Sequence, residues 1–368
     1  MSLSYYTNNS YFDDIIREYL ENDPRQWVRD ERPTEKTTLV DMDYYMMDQI
    51  PICKIMSQMD GLDVLGNKRK QYQLMERDKP ESIGDYIPRT YPFSVNTINS
   101  LRPLFDGRRK YIVKPDNGMM QRGIKILEGF DECLRNVNLY SMTPDCGNEW
   151  ILQDFIEPLL YDTRKYHLRV YVLLVMTTRG LKTYAYDGGM MYFAKDPYDP
   201  QDLSEGPNLT GGFMGGAKRF PEDFESAYGS QKVTDIRNQV KRIVKETIDP
   251  SVPYLRCKNS GLPGHKAYKM LGYDILIDDK GKCHLGEINV RHIGMTFPSQ
   301  GFRDKLYRDL MTTVHYPQTK TSFTLVGNYP CKRNTQRTQK TQKTRRTPRK
   351  PLRTQKRRKR TQKLSREK

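Results

Sequence analysis

Gly272-Tyr273-Asp274 and, beyond an Asp278-Asp279-Lys280-Gly281 turn, Gly286-Glu287-Ile288-Asn289 form the stretch on which the reading of this fold turns. The turn residues between two apolar runs predict a hairpin. Alternation along a strand puts residues two apart on one face, so Glu287 and Asn289 look the same way, and a tight hairpin brings Asp274 opposite them. Two carboxylates and one amide oxygen, with no His or Cys among them, suit a hard cation held against phosphate. Magnesium characteristically takes one or two protein carboxylates plus substrate oxygens. The expected ligand is therefore Mg-ATP. An ordinary solvated acidic hairpin carries the same residues, and the rest of the chain has to separate the two readings.

At 368 residues and 36% apolar content the chain is long enough for two or three packed units. Its six cysteines are scattered without a C-x-x-C pair, and the opening Met1-Ser2-Leu3-Ser4-Tyr5 has no apolar signal region, which predicts a reducing, cytoplasmic setting. The longest strongly apolar run, residues 170–176, is far too short to span a bilayer, so no membrane partner is expected. The net charge of +17 is unevenly placed: residues 332–368 carry 18 Lys/Arg and one acid, Glu367, leaving 44 charges of each sign in residues 1–331. The body is formally neutral, and its function is not to be read from the charge of the whole chain.

The composition predicts a mixed α/β (α+β) body. Residues 1–105, with a helical start at 11–20 and Pro-interrupted charged stretches, read as a small N-terminal α/β domain. Residues 106–152 open with strands at 111–114 and 123–127 around a Gly-containing tip. Residues 153–330 hold a long strand at 168–176 paired with 181–186 and an amphipathic helix at 233–248. From 331 to 368 aromatics vanish and Thr-Gln-Lys or Thr-Gln-Arg recurs at 335, 338, 341, 354 and 361, a composition that predicts a disordered basic tail.

Lys114 falls at a strand end before Pro115-Asp116-Asn117-Gly118, where an ammonium can reach over a bound phosphate. The loop from Gly118 through Arg122, Gly123 and Ile124 would close above it, its N–H groups favouring anions, although most such glycines simply make turns. The K-x-D-G nucleophile of covalent nucleotidyl transferases is missed by one residue, since the chain reads Lys114-Pro115-Asp116-Asn117-Gly118. Gln153-Asp154-Phe155-Ile156 leads out of this region as a hinge would, and its backbone suits an adenine edge. Alternation then places Lys165, His167 and Arg169 on one strand face, a cationic row able to neutralise phosphoryl charge or, more plainly, a solvated face.

Taken in order, these pieces resemble the tubulin tyrosine ligase-like family of ATP-grasp ligases. The resemblance runs over roughly residues 65–300: I-P-R-T-Y at 87–91, V-K-P with R-G-I between 113 and 124, Q-x-[FY]-I-E-P-L-L at 153–160, R-K-Y-x-L-R-V-Y-V at 164–172, Y-x-Y-x-x-G ending at Gly189, and the G-Y-D with E-I-N hairpin. It implies an ATP-grasp fold in which 106–152 and 153–330 are the central and C-terminal domains. Asp274, Glu287 and Asn289 would hold Mg2+, Lys114 and the 118–124 loop would cover the phosphates, and residues 153–156 would contact adenine. Lys165 and Arg169, with His167 between them, would sit by the reacting groups. The implied reaction is ADP-forming amide synthesis between a carboxylate and an amine, through an acyl phosphate. The implied partners are a free amino acid and an acidic protein, tubulin foremost.

Several residues depart from the family pattern. His167 replaces its usual aspartate. Tyr192 stands nearest to an arginine used on the incoming amino acid's carboxylate, and cannot make that bidentate pair. Met120 and Gln121 replace a basic residue and a glycine, and 208–212 match H-L-T-N only in part. Two other readings stay open: an ATP-grasp ligase for a small molecule or another peptide, and a catalytically weakened binding protein acting through its tail. The tail's charge admits acidic protein tails, nucleic acid, or nuclear import machinery reading Lys356-Arg357-Arg358-Lys359-Arg360.

Overall fold

From residue 170 onward both phases of the 166–177 run are apolar, as in a strand covered on both faces, and this strand lies in the middle of the larger of two sheets. The computed structural model describes residues 3–8, 12–42, 52–116, 121–143, 146–211, 215–291, 293–295 and 298–331. Its strands are β1 (Leu3–Asn8), β2 (Trp27–Arg29), β3 (Leu39–Met42), β4 (Ile55–Met56), β5 (Thr90–Ser94), β6 (Tyr111–Pro115), β7 (Lys125–Leu127), β8 (Glu149–Asp154), β9 (Tyr166–Thr177), β10 (Gly180–Phe193), β11 (Ala217–Phe220), β12 (Lys266–Ile277), β13 (Cys283–Asn289) and β14 (Phe323–Pro330). Residues 1–331 belong to one compact unit. The basic tail and Gly118 lie outside the described residues.

The ten-stranded sheet runs β11-β10-β9-β12-β4-β3-β1-β2, with β13 on β12 and β14 on β10. The N-terminal strands join it through a short parallel pairing of β4 with β12, Ile55 opposite Lys266. The four-stranded sheet runs β5-β8-β6-β7, so residues 90–94 pair with 149–153. Mixed α/β architecture is therefore what forms.

Alternation along β9 explains the layering. Leu168, Val170, Val172 and Leu174 pack with Val233, Ile236, Val240, Ile243 and Val244 of the Ser230–Ile248 helix. Tyr171, Leu173 and Val175 pack on the other side with Leu306, Leu310 and Val314 of the Gln300–His315 helix and Ile16 and Leu20 of Asp13–Glu21. The small sheet has its own core around Trp150, Tyr111 and Phe130. The expected strand at 123–127 begins only at Lys125, because Gly123 adopts φ +73 in a turn. A Cβ there would meet Trp150 Cη2 at 3.0 Å, and Gly123 permits both the turn and the packing. No helix among the described residues is long and apolar enough to cross a membrane.

Candidate functional site

Followed back towards its start, the odd-numbered face of β9 changes from apolar to charged: after Tyr171 come Arg169, His167 and Lys165, 9%, 7% and 6% exposed. The solvated reading of this row is thereby corrected. Three buried polar side chains in a line require partners.

Those partners arrive by sheet register. In the antiparallel pairing of β9 with β12, Arg169 lies opposite Asp274. Its Nη2 donates to Asp274 Oδ2 at 3.0 Å, its Nε donates to Oδ1, and its Nη1 donates to the Ile293 carbonyl at 2.8 Å. Asp274 in turn lies opposite Glu287 of β13, as the hairpin predicts. Between that pair and the next, Ile275 opposite Leu285, the register slips, leaving Gly286 as an extra residue. The slip explains why buried apolar residues of β13 fall at 283, 285 and 288, while Glu287 and Asn289 share the face of Asp274. Asn289 Nδ2 donates to Asp274 Oδ2 at 3.2 Å.

From the small sheet, Lys114 at the end of β6 is 7% exposed and donates to the Gly286 carbonyl at 3.4 Å. Lys165 Nζ lies 4.1 Å over the Phe155 ring. Gln153 is buried and donates to Thr90 Oγ1 at 2.8 Å; the Asp154 and Phe155 N–H groups donate to the Arg89 and Lys110 carbonyls at 2.9 and 3.1 Å. Gln153 also lines a cavity of about 20 Å³ with Thr90, Lys68, Gly286 and Glu287, room for about one water. In the turn, Ile124 N–H donates to the Gln121 carbonyl at 3.2 Å, and the Arg122 carbonyl accepts from Cys146 Sγ at 3.8 Å.

Sequence reasoning assigned no role to Lys68, which the structure brings 3.2 Å from Glu287 Oε2. Lys68 begins the Lys68–Asp78 helix, whose N-cap Asn67 accepts from Lys70 N–H. Asp116, 6% exposed, fixes that helix start by accepting from Asn67 Nδ2 at 2.8 Å and from Arg69 N–H at 3.0 Å. An Asn ahead of a helical run is a cap signal; its closeness to Asp116, 49 residues on, has none.

Electrostatics follows from burial. Desolvation, with Lys68 nearby, lowers Lys114 to about 8, and desolvation lowers Lys165 to about 7. It also lowers His167, against the pull of Asp274. Burial pushes Glu287 up but is outweighed by Lys68, Lys114 and Arg169, which hold it at about 2. Burial likewise opposes the charge on Arg169 and is outweighed by Asp274. Lys68, Lys114 and Arg169 thus act on two carboxylates, an imbalance that suits a polyanionic ligand. Asp274, Glu287 and Asn289 form an oxygen-rich group on adjacent strands that fits a hard cation. Arg169 bonds both oxygens of Asp274 and Asn289 bonds Oδ2 as well, leaving Glu287 as the more open ligand.

Tyr192, 3% exposed, donates to the Gly294 carbonyl at 3.0 Å, with the Arg169 guanidinium 5.6 Å above its ring. Its hydroxyl and Arg169 thus clamp the same two-residue segment.

A model of the tubulin-tyrosine ligase family matches residues 47–210, a segment containing Lys114, Lys165, His167 and Arg169 and ending before the 274–289 hairpin. Among curated proteins, tubulin polyglutamylase TTLL7 of Mus musculus is 28% identical over 240 residues, covering 55% of this chain and 25% of that protein. Tubulin polyglutamylase TTLL13 of Homo sapiens is 30% identical over 236 residues, covering 56% and 27%. The inactive polyglycylase TTLL10 of Homo sapiens is 25% identical over 241 residues, covering 56% and 34%. The chain spans about a quarter of the length of the first two.

Proposed function

We propose that this chain, tubulin-tyrosine ligase-like over residues 47–210, is an ATP-dependent ligase that adds an amino acid to an acidic protein, with tubulin the first candidate acceptor. The observation that carries the reading is the register that sets Asp274 opposite Glu287 beside the buried ammonium of Lys114. The division of the body near residues 105 and 152 belongs with this ATP-grasp reading.

Mg-ATP would supply the phosphoryl group that activates a carboxylate as an acyl phosphate, and an amine would then displace phosphate. The chain's own residues bind and orient. Glu287, Asn289 and Asp274 would hold Mg2+. Lys114, Lys68 and the 118–124 segment would receive phosphate oxygens, and residues 153–156 the base. Lys165 would meet charge developing on the transferred group, and it stands unpaired by any carboxylate within salt-bridge distance among the described residues. Arg169 would act by holding Asp274 and the Ile293 carbonyl in place. Most of the rate enhancement would come from positioning and charge neutralisation.

The same clamp favours one other reading. With Asp274 bonded to Arg169 and Tyr192 bonded to Gly294, the chain would on that reading be a catalytically weakened ligase-like binding protein acting through its polycationic tail. Purified full-length chain incubated with Mg-ATP, tubulin and pooled amino acids separates the two by ADP release and mass spectrometry of the tubulin tails. A mass added by the wild type and reduced about 100-fold or more in Glu287→Gln supports the ligase. ATP binding without turnover on tubulin points to another acceptor, and no ATP binding overturns the proposal.

A further inference from the structure

We infer that Gln121 is a positioning residue: its side chain ties the turn after β6 to the large sheet and, through Thr210, sets the ring of His167 against Asp274. Only the effect on turnover rests on the ligase reading, since the hydrogen bonds concerned belong to the protein alone.

Gln121 has φ +64, a left-handed conformation that costs a non-glycine residue about 1 kcal/mol. Its amide makes a specific contact from that position. Nε2 donates to the Thr210 carbonyl at 2.8 Å, joining residues 89 apart in sequence, one in the turn of the small sheet and the other beside β10. Thr210 is itself bridged to Ala194 at the end of β10, so the acceptor is not a loose loop atom. The Thr210 hydroxyl faces the other way, with Oγ1 2.6 Å from His167 Nδ1.

At the far side of the imidazole, Nε2 has no hydrogen-bond partner among the described residues and lies 3.6 Å from Asp274 Oδ1. A carboxylate at that edge favours a proton on Nε2. Nδ1 is then the acceptor and the Thr210 hydroxyl the donor. The resulting chain is directional: the Gln121 amide holds the Thr210 main chain, the Thr210 hydroxyl donates to Nδ1, and the Nε2 proton points at Asp274. Tyr192, its ring centre 5.4 Å from that of His167, bounds the imidazole on another side. A turn that moves away at residue 121 therefore releases the main chain that fixes the imidazole. The site's carboxylates and its phosphate-covering turn are linked by one glutamine.

The chain has five histidines, so its imidazole 15N resonances can be assigned with His167→Asn. With His167 neutral and no nucleotide present, wild type is expected to show one well-defined tautomer with the proton on Nε2. Gln121→Gly, which relieves the left-handed backbone and deletes the amide, is expected to broaden or average that pair of shifts. It should also speed tryptic cleavage after Arg122 about fivefold, the equivalent of one neutral hydrogen bond. Thr210→Val is expected to disturb the tautomer and Thr210→Ser to restore it. If Gln121→Gly leaves both the His167 shifts and the cleavage rate at wild-type values, the inference is overturned, whatever Thr210→Val does. If wild type shows turnover, Gln121→Gly and Thr210→Val should be non-additive in kcat. If it binds no ATP, the ligase reading fails while the tautomer and cleavage results still decide this one.

Discussion

Lys165 and Lys114 are ammonium groups withdrawn from water, and desolvation brings them to about 7 and 8 from an ordinary 10.5. Because the folded values lie below the unfolded one, the unfolded chain binds more protons across that interval. These two groups therefore make stability rise with pH until both states are deprotonated. An anionic ligand reverses the bias by favouring the charged forms. Nucleotide binding near pH 8 should then take up about one proton, seen by calorimetry as a binding enthalpy that differs between buffers of unlike ionisation enthalpy. An enthalpy independent of buffer would rule this out. At this scale the sequence was informative about which residues matter and silent about what they touch. Alternation alone put Lys165, His167 and Arg169 on one face. That Arg169 bonds Asp274 depends on a strand pairing 105 residues apart, and that Lys68 reaches Glu287 depends on a helix start held by Asp116.

Among the elements, the Gln300–His315 helix ends on a histidine whose two ring nitrogens lack hydrogen-bond partners among the described residues. The ring lies edge-on to Trp27, 5.5 Å between centres, and burial, with Arg25 and Lys266 adding to it, pushes it down from 6.5 to about 3. Its folded-state value is depressed and its charged form is the acid, so the stability it contributes is full above 6.5 and is lost as pH falls towards 3. Urea melts of the wild type should weaken through this window by about 1.4 kcal/mol per pH unit beyond the change in a His315→Phe variant. Parallel pH profiles for the two proteins would sink the claim. Elements themselves were largely legible: the hairpin, the long paired strands and the Ser230–Ile248 helix follow from periodicity and turn residues. The joining of β4 to β12 was not, since two residues of pairing leave no periodic trace.

On the scale of the whole molecule, charge is the dominant asymmetry, with a formally neutral body followed by 18 basic residues between 332 and 368. Steering by such a segment acts on encounter and is screened by salt. Deleting residues 332–368 should raise KM for an acidic protein acceptor several-fold at low ionic strength and flatten its salt dependence, with kcat unchanged. Unchanged KM and salt slope would refute this role for the tail. Composition made the tail plain because its charge needs no fold to be counted. Which acceptor it meets depends on the partner's surface as much as on this chain.

The extra residue at Gly286 also bears on how the lineage of this protein is to be traced. A descendant that lost one residue between Leu285 and Glu287 would still carry aspartate and glutamate in the proper order, face to face on a smooth ladder, but without the displaced carbonyl that Lys114 meets. An alignment scored by letters would rank that descendant as intact, whereas one that counts the spacing would set it apart. The spacing between Leu285 and Glu287 is thus a record that the acidic letters alone do not carry.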